Sequence, residues 1–276
     1  MNIPVFVLAG GFGTRFSEET QLKPKPMVEI GEIPILVHIM RWYYGHGFND
    51  FIICAGHRSW EIKHFFLNYE FRMNHLMIDH RTSLITPPAS IGQSLEQEQW
   101  RVRVLDTGVN CLTGGRLARA LDIISEEQAF DDFALTYGDG LCDVDLNKEL
   151  AFHRLNGKIG TVLAVNAQQR FGVLNIDSQM KVCGFLEKPD DRQEAVSGGF
   201  FFFKKEFRRY VDDTSECVLE RMPLERLAAD GELMSFRHTG FWYAMDTLRD
   251  KTHLEQLWNS GTAPWVKVKT EQSCLT

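Results

Sequence analysis

The chain has 276 residues, 44% hydrophobic and 24% charged, an ordinary globular composition with enough length to bury a large α/β core. Its formal net charge of -7 argues against a general nucleic-acid binder, which needs a cationic face, but not against a protein that holds small phosphorylated molecules with a few placed cations. Six cysteines without a C-x-x-C pair and nine histidines without an H-x-x-x-H pair exclude the familiar zinc and dithiol motifs, and scattered cysteines suit a reducing, cytoplasmic setting.

Pro4 to Leu8 is a short apolar run that stops at Ala9-Gly10-Gly11, which predicts a buried strand entering a loop. The run has no basic start, so no secretory leader is expected, and no apolar stretch approaches a membrane span. Pro34 opens a predicted helix that runs through Tyr44 and ends at Gly45. Asp50 to Ala55 is a second buried strand, and Ile62, Phe65, Phe66 and Tyr69 follow at helical spacing. Thr82 to Gln99 contains Pro87-Pro88 and no clear period, so a long loop or lid is expected. Arg101 to Asp106 alternates, with Val102 and Val104 on one face of a strand. Leu117, Ala120, Leu121 and Ile124 form another helical stripe, and Phe133 to Thr136 is a strand that ends at Tyr137-Gly138-Asp139-Gly140.

Beyond that point Leu146 to Leu155 reads as a helix stopped by Asn156-Gly157. Strands then follow with fewer helices, over 159–165, 172–176, 181–187 and 197–203, with a hairpin at Asp177-Ser178. The run Phe200 to Phe203 is greasy but short, and Lys204-Lys205 follows it, so it is a buried strand. Residues 266–276 form a polar tail. Alternating strands and helices predict an α/β fold: a Rossmann-like mixed, mostly parallel sheet with helices on both faces and a small β-rich region in the second half. Ligands of such sheets sit at the carboxyl ends of the strands, where both glycine-rich loops fall.

The strongest chemical signal is Leu8-Ala9-Gly10-Gly11-Phe12-Gly13-Thr14-Arg15, followed by Lys23-Pro24-Lys25-Pro26. Glycines let backbone N–H groups approach phosphate oxygens, Thr14 adds a hydroxyl and Arg15 a forked cation. Lys25 sits between two prolines that stiffen its backbone. A lone G-x-G is weak, and neither a Walker A nor a full dinucleotide fingerprint is present, so a glycine turn before a solvated basic loop is the bland alternative. Asp139, between two glycines after a buried strand, is open to a hard cation or is a turn aspartate. Asp246 reads equally as a helix N-terminal residue, Arg116 as a surface cation, and Lys188 as an exposed loop cation.

Further stretches occur in order along the chain: Ser17-Glu18-Glu19-Thr20, Thr113-Gly114-Gly115-Arg116-Leu117, Arg170-Phe171-Gly172, Glu187-Lys188-Pro189, Gly198-Gly199-Phe200-Phe201 and Met245-Asp246-Thr247-Leu248-Arg249-Asp250. Together with Lys23 to Gly31 and Tyr137 to Gly140 they resemble the sugar-1-phosphate nucleotidyltransferase family, most closely its branch that uses CTP and glucose 1-phosphate, up to about Trp265. The resemblance implies one nucleotidyltransferase domain over 1–265, with a nucleotide-binding half (about 1–145) and an acceptor-binding half (about 146–265). It implies transfer from CTP to a sugar 1-phosphate, giving CDP-glucose for bacterial deoxysugar and O-antigen synthesis, with Mg2+ as cofactor. Arg15, Lys25 and Asp139 would be catalytic. Leu8, Ala9, Gly10, Gly11, Gly13, Thr14, Arg15, Lys25, Thr113, Arg116 and Gly138 would bind the nucleotide, and Asp139 and Asp246 the metal. Glu187, Lys188, Gly199 and Tyr243 would surround the acceptor. The resemblance also suggests a homo-oligomer, with the 82–99 loop a candidate contact, and no nucleic-acid or membrane partner.

Three departures from the family pattern stand out. Ser197 replaces an Asn before Gly-Gly-Phe-Phe, Leu219-Glu220-Arg221-Met222-Pro223 replaces Trp-Glu-x-Glu-Pro, and Tyr243-Ala244 replaces Gln-Pro. They are expected to cluster on the acceptor side and to leave the triphosphate side intact, which keeps a different phosphorylated acceptor open. A thymidylyl- or uridylyltransferase is a second alternative, because base choice rests on a few pocket hydrogen bonds. A non-catalytic nucleotide- or sugar-binding relative is a third; retention of Arg15, Lys25, Asp139 and Asp246 argues against it.

Overall fold

A computed structural model describes residues 3–13, 23–73, 77–82, 84–86, 98–166, 173–176, 182–186 and 195–266. Strand β1 (Val5–Ala9) is apolar at every position because both of its faces are covered. Val5, Val7 and Ala9 enter one core, and Phe6 and Leu8 enter the other. The same two-residue period divides β4 (Asp50–Ala55) and β8 (Asp132–Tyr137). It also divides β13 (Ala195–Lys204), where Phe200 and Phe202 fill one core and Phe201 and Phe203 the other.

With β7 (Arg101–Asp106), β10 (Gly160–Asn166) and β14 (Leu233–Arg237), these strands form a seven-stranded sheet in the order β14-β10-β13-β8-β1-β4-β7. The strands from β8 to β7 run parallel, as do β10 and β14, while β13 is antiparallel to both of its neighbours. The expected mixed, mostly parallel sheet is present, and strands from both halves of the chain share it.

Helix α4 (Thr113–Glu127) covers one face, burying Leu117, Ala120, Leu121 and Ile124 at its predicted stripe, and α6 (Met222–Ala229) joins it through Leu227. The opposite face carries α1 (Ile35–Gly45), α2 (Ser59–Leu67), α5 (Leu146–Asn156) and α7 (Leu248–Asn259). Four antiparallel pairs decorate this frame. They are β2 (Glu29–Ile30) with β3 (Ile33–Pro34), β5 (Met77–Asp79) with β6 (Leu84–Thr86), β9 (Gly140–Cys142) with β15 (Trp242–Ala244), and β11 (Val173–Ile176) with β12 (Val182–Leu186).

Two expectations change. The stripe from Ile62 to Tyr69 is not one helix: Asn68 ends α2, its amide donating to the His64 carbonyl at 2.8 Å, and a short α3 (Tyr69–Met73) follows. The expected loop over 82–99 contains strand β6, while 87–97 lie outside the described residues. The hairpin strands pair as expected, but Asp177-Ser178 and the tail beyond Val266 also lie outside them. Among the described residues no helix is long and apolar enough to cross a membrane.

Candidate active site

A cleft of about 350 Å³ opens at the carboxyl ends of β1 and β8. It brings together most of the residues singled out in sequence: Leu8, Ala9, Gly10, Gly11, Gly13, Lys25, Thr113, Arg116, Gly138 and Asp139. A larger cavity of about 770 Å³ lies beside β7 and has walls of Trp60, Phe66, Tyr69 and Trp100. That cavity has no glycine loop, and its Arg41 is paired with Glu98 at 2.8 Å, so the smaller, polar cleft is where phosphate chemistry fits.

Lys25 begins a 3-10 turn (Lys25–Met27) whose next two residues, Pro26 and Met27, are buried. The turn is fixed from beneath, so the lysine is aimed rather than free. Its Nζ donates to Asp139 Oδ2 at 2.5 Å and to Asp246 Oδ1 at 2.8 Å. Gly138 allows this approach, since a Cβ there would lie 2.9 Å from Pro26 Cγ and 3.2 Å from the Leu8 carbonyl oxygen. The two aspartates meet because β9 pairs with β15, Gly140 opposite Ala244, and the Met245 amide then donates to the Asp139 carbonyl at 2.9 Å. Asp246 is not the helix cap. Thr247 caps α7 in a capping box with Asp250, which leaves the Asp246 carboxylate for Lys25.

Arg116 is 4% exposed and is not a surface cation. Its Nη1 donates to the Ala55 and Gly108 carbonyls and to Thr107 Oγ1, and its Nη2 donates to the Gly10 and Val109 carbonyls. Burial draws it below the usual arginine value. Glycine is required on both sides of the guanidinium, because a Cβ at Gly10 or at Gly56 would lie 2.1 Å from Nη1. Arg116 therefore ties the loops after β1, β4 and β7 together. It lines the cleft, but its hydrogens serve the frame.

One residue of the stretch expected on the acceptor side, Glu220, shares a cleft with the glycine loop. Its Oε2 accepts from Thr113 Oγ1 at 2.7 Å, its Oε1 accepts from the Tyr137 hydroxyl, and the Leu219 amide donates to Thr113 Oγ1 at 2.9 Å. Sequence reading missed Glu220 and Tyr137 as site residues, since neither contact is local. Gly199 (φ 76°) supports this wall, because a Cβ there would lie 2.6 Å from the Tyr137 ring.

Of the acceptor set, Tyr243 lies on β15 and donates its hydroxyl to Asp250 Oδ1 at 3.1 Å, so it braces α7. Ser197 Oγ accepts from the Gly199 amide at 3.3 Å, and Trp242 Nε1 donates to the Gly198 carbonyl at 2.7 Å. Thr14, Arg15, Glu187 and Lys188 lie outside the described residues.

Two carboxylates that converge on one cationic atom are a hard-oxygen donor set, and Asp139 with Asp246 fits a divalent ion such as Mg2+. A second group, Cys142, Asp143 and His238, lies within 4.8 Å, but His238 Nε2 is already closed on Asp143 at 2.8 Å.

Residues 5–243 match the nucleotidyl transferase family. The chain is 44% identical over 262 residues to a glucose-1-phosphate cytidylyltransferase of Salmonella typhi, covering 94% of this chain and 97% of that one. It is 26% identical to a mannose-1-phosphate guanyltransferase of Hypocrea jecorina, over 96% of this chain and 65% of the other. A solved UDP-glucose pyrophosphorylase in complex with UDP-glucose shares the fold, with a TM-score of 0.66 at 14% identity over 95% of this chain and 100% of that one. The chain belongs to the nucleotidyl transferase family, in its glucose-1-phosphate cytidylyltransferase branch.

Proposed function

We propose that the protein transfers the cytidylyl group of CTP to α-D-glucose 1-phosphate, giving CDP-glucose and pyrophosphate. The observation that carries this reading is the convergence of Lys25, Asp139 and Asp246 beside the glycine loop, in a chain 44% identical to a glucose-1-phosphate cytidylyltransferase. A phosphate oxygen of the acceptor attacks the α-phosphorus in line. The bond to the bridging oxygen breaks, and the electron pair leaves on pyrophosphate. The nucleophile is already an anion, so no side chain has to remove a proton. The protein's task is to align the two phosphates and to offset their charge.

The glycine loop supplies backbone N–H groups, and Lys25 supplies an aimed cation at the reacting phosphates. Arg15 and Thr14 belong to the same proposal by their place in the loop motif, as do Glu187 and Lys188 at the acceptor. Mg2+ is the proposed cofactor, held by Asp139 and Asp246, and when bound it neutralises charge on phosphate oxygens. A homo-oligomer is part of the proposal, to be read by sedimentation.

Glu220 lines the glycine-loop cleft, Leu219 is buried, and the Tyr243 hydroxyl is held by Asp250, so these positions supply no argument for a different acceptor. Pyrophosphate release with Mg2+, CTP, UTP or dTTP and a panel of sugar 1-phosphates tests the reading. The expected result is greatest turnover with CTP and glucose 1-phosphate. Preference for another base supports the thymidylyl or uridylyl alternative, and no release with any pair supports a non-catalytic relative.

A further inference from the structure

A cleft that receives a triphosphate gains from cations and loses from carboxylates. Asp139 escapes this rule because Lys25 compensates it. Glu220 is held differently: its two oxygens accept from the hydroxyls of Thr113 and Tyr137. Among the described residues no cation pairs with it, so it would repel a phosphate placed against it. A carboxylate kept in such a place has to address the part of the nucleotide that carries hydrogen-bond donors.

Donor chemistry selects that part. Thr113 opens α4 and Tyr137 ends β8, and the carboxylate they hold lines the same cleft as the glycine loop. A ribose hydroxyl both donates and accepts and is poorly discriminated by acceptors alone, whereas the exocyclic amino group of cytosine only donates. The donors on this wall are also consumed: the Thr113 and Tyr137 hydroxyl hydrogens both point at Glu220, and Thr113 Oγ1 is further fixed by the Leu219 amide. What faces the cleft is a set of acceptor lone pairs, held rigidly because Gly199 lets the Tyr137 ring seat closely.

We propose that Glu220, braced by Thr113 and Tyr137, reads the base of the nucleotide by accepting from the exocyclic amino group of cytosine. Uracil and thymine carry a carbonyl oxygen at the same ring position, which would meet the carboxylate lone pairs with no hydrogen between them. Rejection by an unpaired buried polar group is the strong form of selectivity. The assignment rests on cytidylyl transfer as the reaction of this site.

The test is Glu220→Gln, whose amide keeps an oxygen for one of the two hydroxyls and puts N–H donors in place of the other oxygen. Affinities for CTP and for UTP are measured by calorimetry with Mg2+ and no acceptor, beside kcat/KM for both. The expected result is a fall of about 10-fold or more in the CTP/UTP ratio, from loss with CTP and gain with UTP, with the CTP/dCTP ratio unchanged. A merely structural role would weaken both nucleotides alike and leave the ratio fixed, which overturns the assignment. A collapse of the CTP/dCTP ratio with the base ratio intact overturns it too, and places Glu220 at the ribose. Wild-type protein that favours UTP or dTTP over CTP sinks the underlying reaction instead, so the two failures are distinguishable. Tyr137→Phe, which frees the carboxylate without removing it, is expected to lower the CTP/UTP ratio by less than Glu220→Gln does.

Discussion

Two cations line the same cleft and have opposite kinds of partner. Lys25 faces two carboxylates at 2.5 and 2.8 Å, and its side chain is 12% exposed. Arg116 faces four backbone carbonyls and one hydroxyl. The first arrangement is exchangeable, because carboxylates can trade an ammonium for another cation while the ammonium turns to a phosphate. The second is a fixture: one buried guanidinium bridges the loops after β1, β4 and β7 through five contacts at once. Residue type says "cation near phosphate" for both, and the partner distinguishes a working group from a strut. Asp139→Ala breaks the first arrangement most severely. It is expected to abolish turnover while circular dichroism stays unchanged, and near wild-type activity at saturating Mg2+ would remove Asp139 from the site.

Lys25→Ala sharpens the contrast by removing the exchangeable cation. A contact to charge developing in the transition state is worth about 2–4 kcal/mol, so kcat should fall by roughly 30- to 10³-fold with little change in melting temperature. Arg41→Ala, which loses its pair with Glu98 beside the larger cavity, should leave kcat within about 2-fold. Equal, small effects from both would make Lys25 a bystander. Arg116→Ala is the converse experiment. Stripping donors from several buried carbonyls should cost at least about 2 kcal/mol of stability in urea unfolding, with activity following the loss of the loop frame. A variant as stable as wild type but unable to bind CTP would show instead that Arg116 contacts the nucleotide directly.

How far the sequence carried this picture depends on whether each element's signal was local. The strands β1, β4, β8 and β13 were legible as unbroken apolar runs because both faces of each are covered. The three-residue strands β9 and β15 were not, since each exists only through a partner a hundred residues away, Gly140 with Ala244 and Cys142 with Trp242. That pairing is what joins Asp139 to Asp246, so the meeting of the two acids was reachable from motif resemblance but not from spacing. The bland reading of Asp246 could have been set aside locally, because Thr247 with Asp250 three residues on is a capping pattern that places the cap one residue later. Glu220 had no local signal at all. Its meaning comes from Thr113 and Tyr137, 107 and 83 residues away in the chain.

A third group extends the comparison to a charge with neither kind of partner. Glu149 on α5 is fully buried, and neither carboxylate oxygen has a hydrogen-bond partner among the described residues. Burial pushes its carboxyl well above the usual value, so it is held neutral in the folded chain. The sign follows from proton counting. Above the unfolded value, about 4.3, the unfolded chain releases this proton and the folded chain keeps it, so its contribution lowers stability as pH rises. His38 and His153 are held by burial at about 4, and they tilt the profile the other way, weakening the fold as pH falls below 6.5. The Glu149 effect is therefore read as a difference between wild type and Glu149→Gln, in which the histidine contributions cancel. Unfolding in urea at pH 5 and pH 8 should show the variant's advantage growing by about 1 kcal/mol or more across that interval, since each pH unit within the shifted range is worth about 1.4 kcal/mol. A difference that stays constant with pH would mean that Glu149 ionises in the folded chain, and that a buried partner, water or cation, holds its charge as Asp139 and Asp246 are held by Lys25.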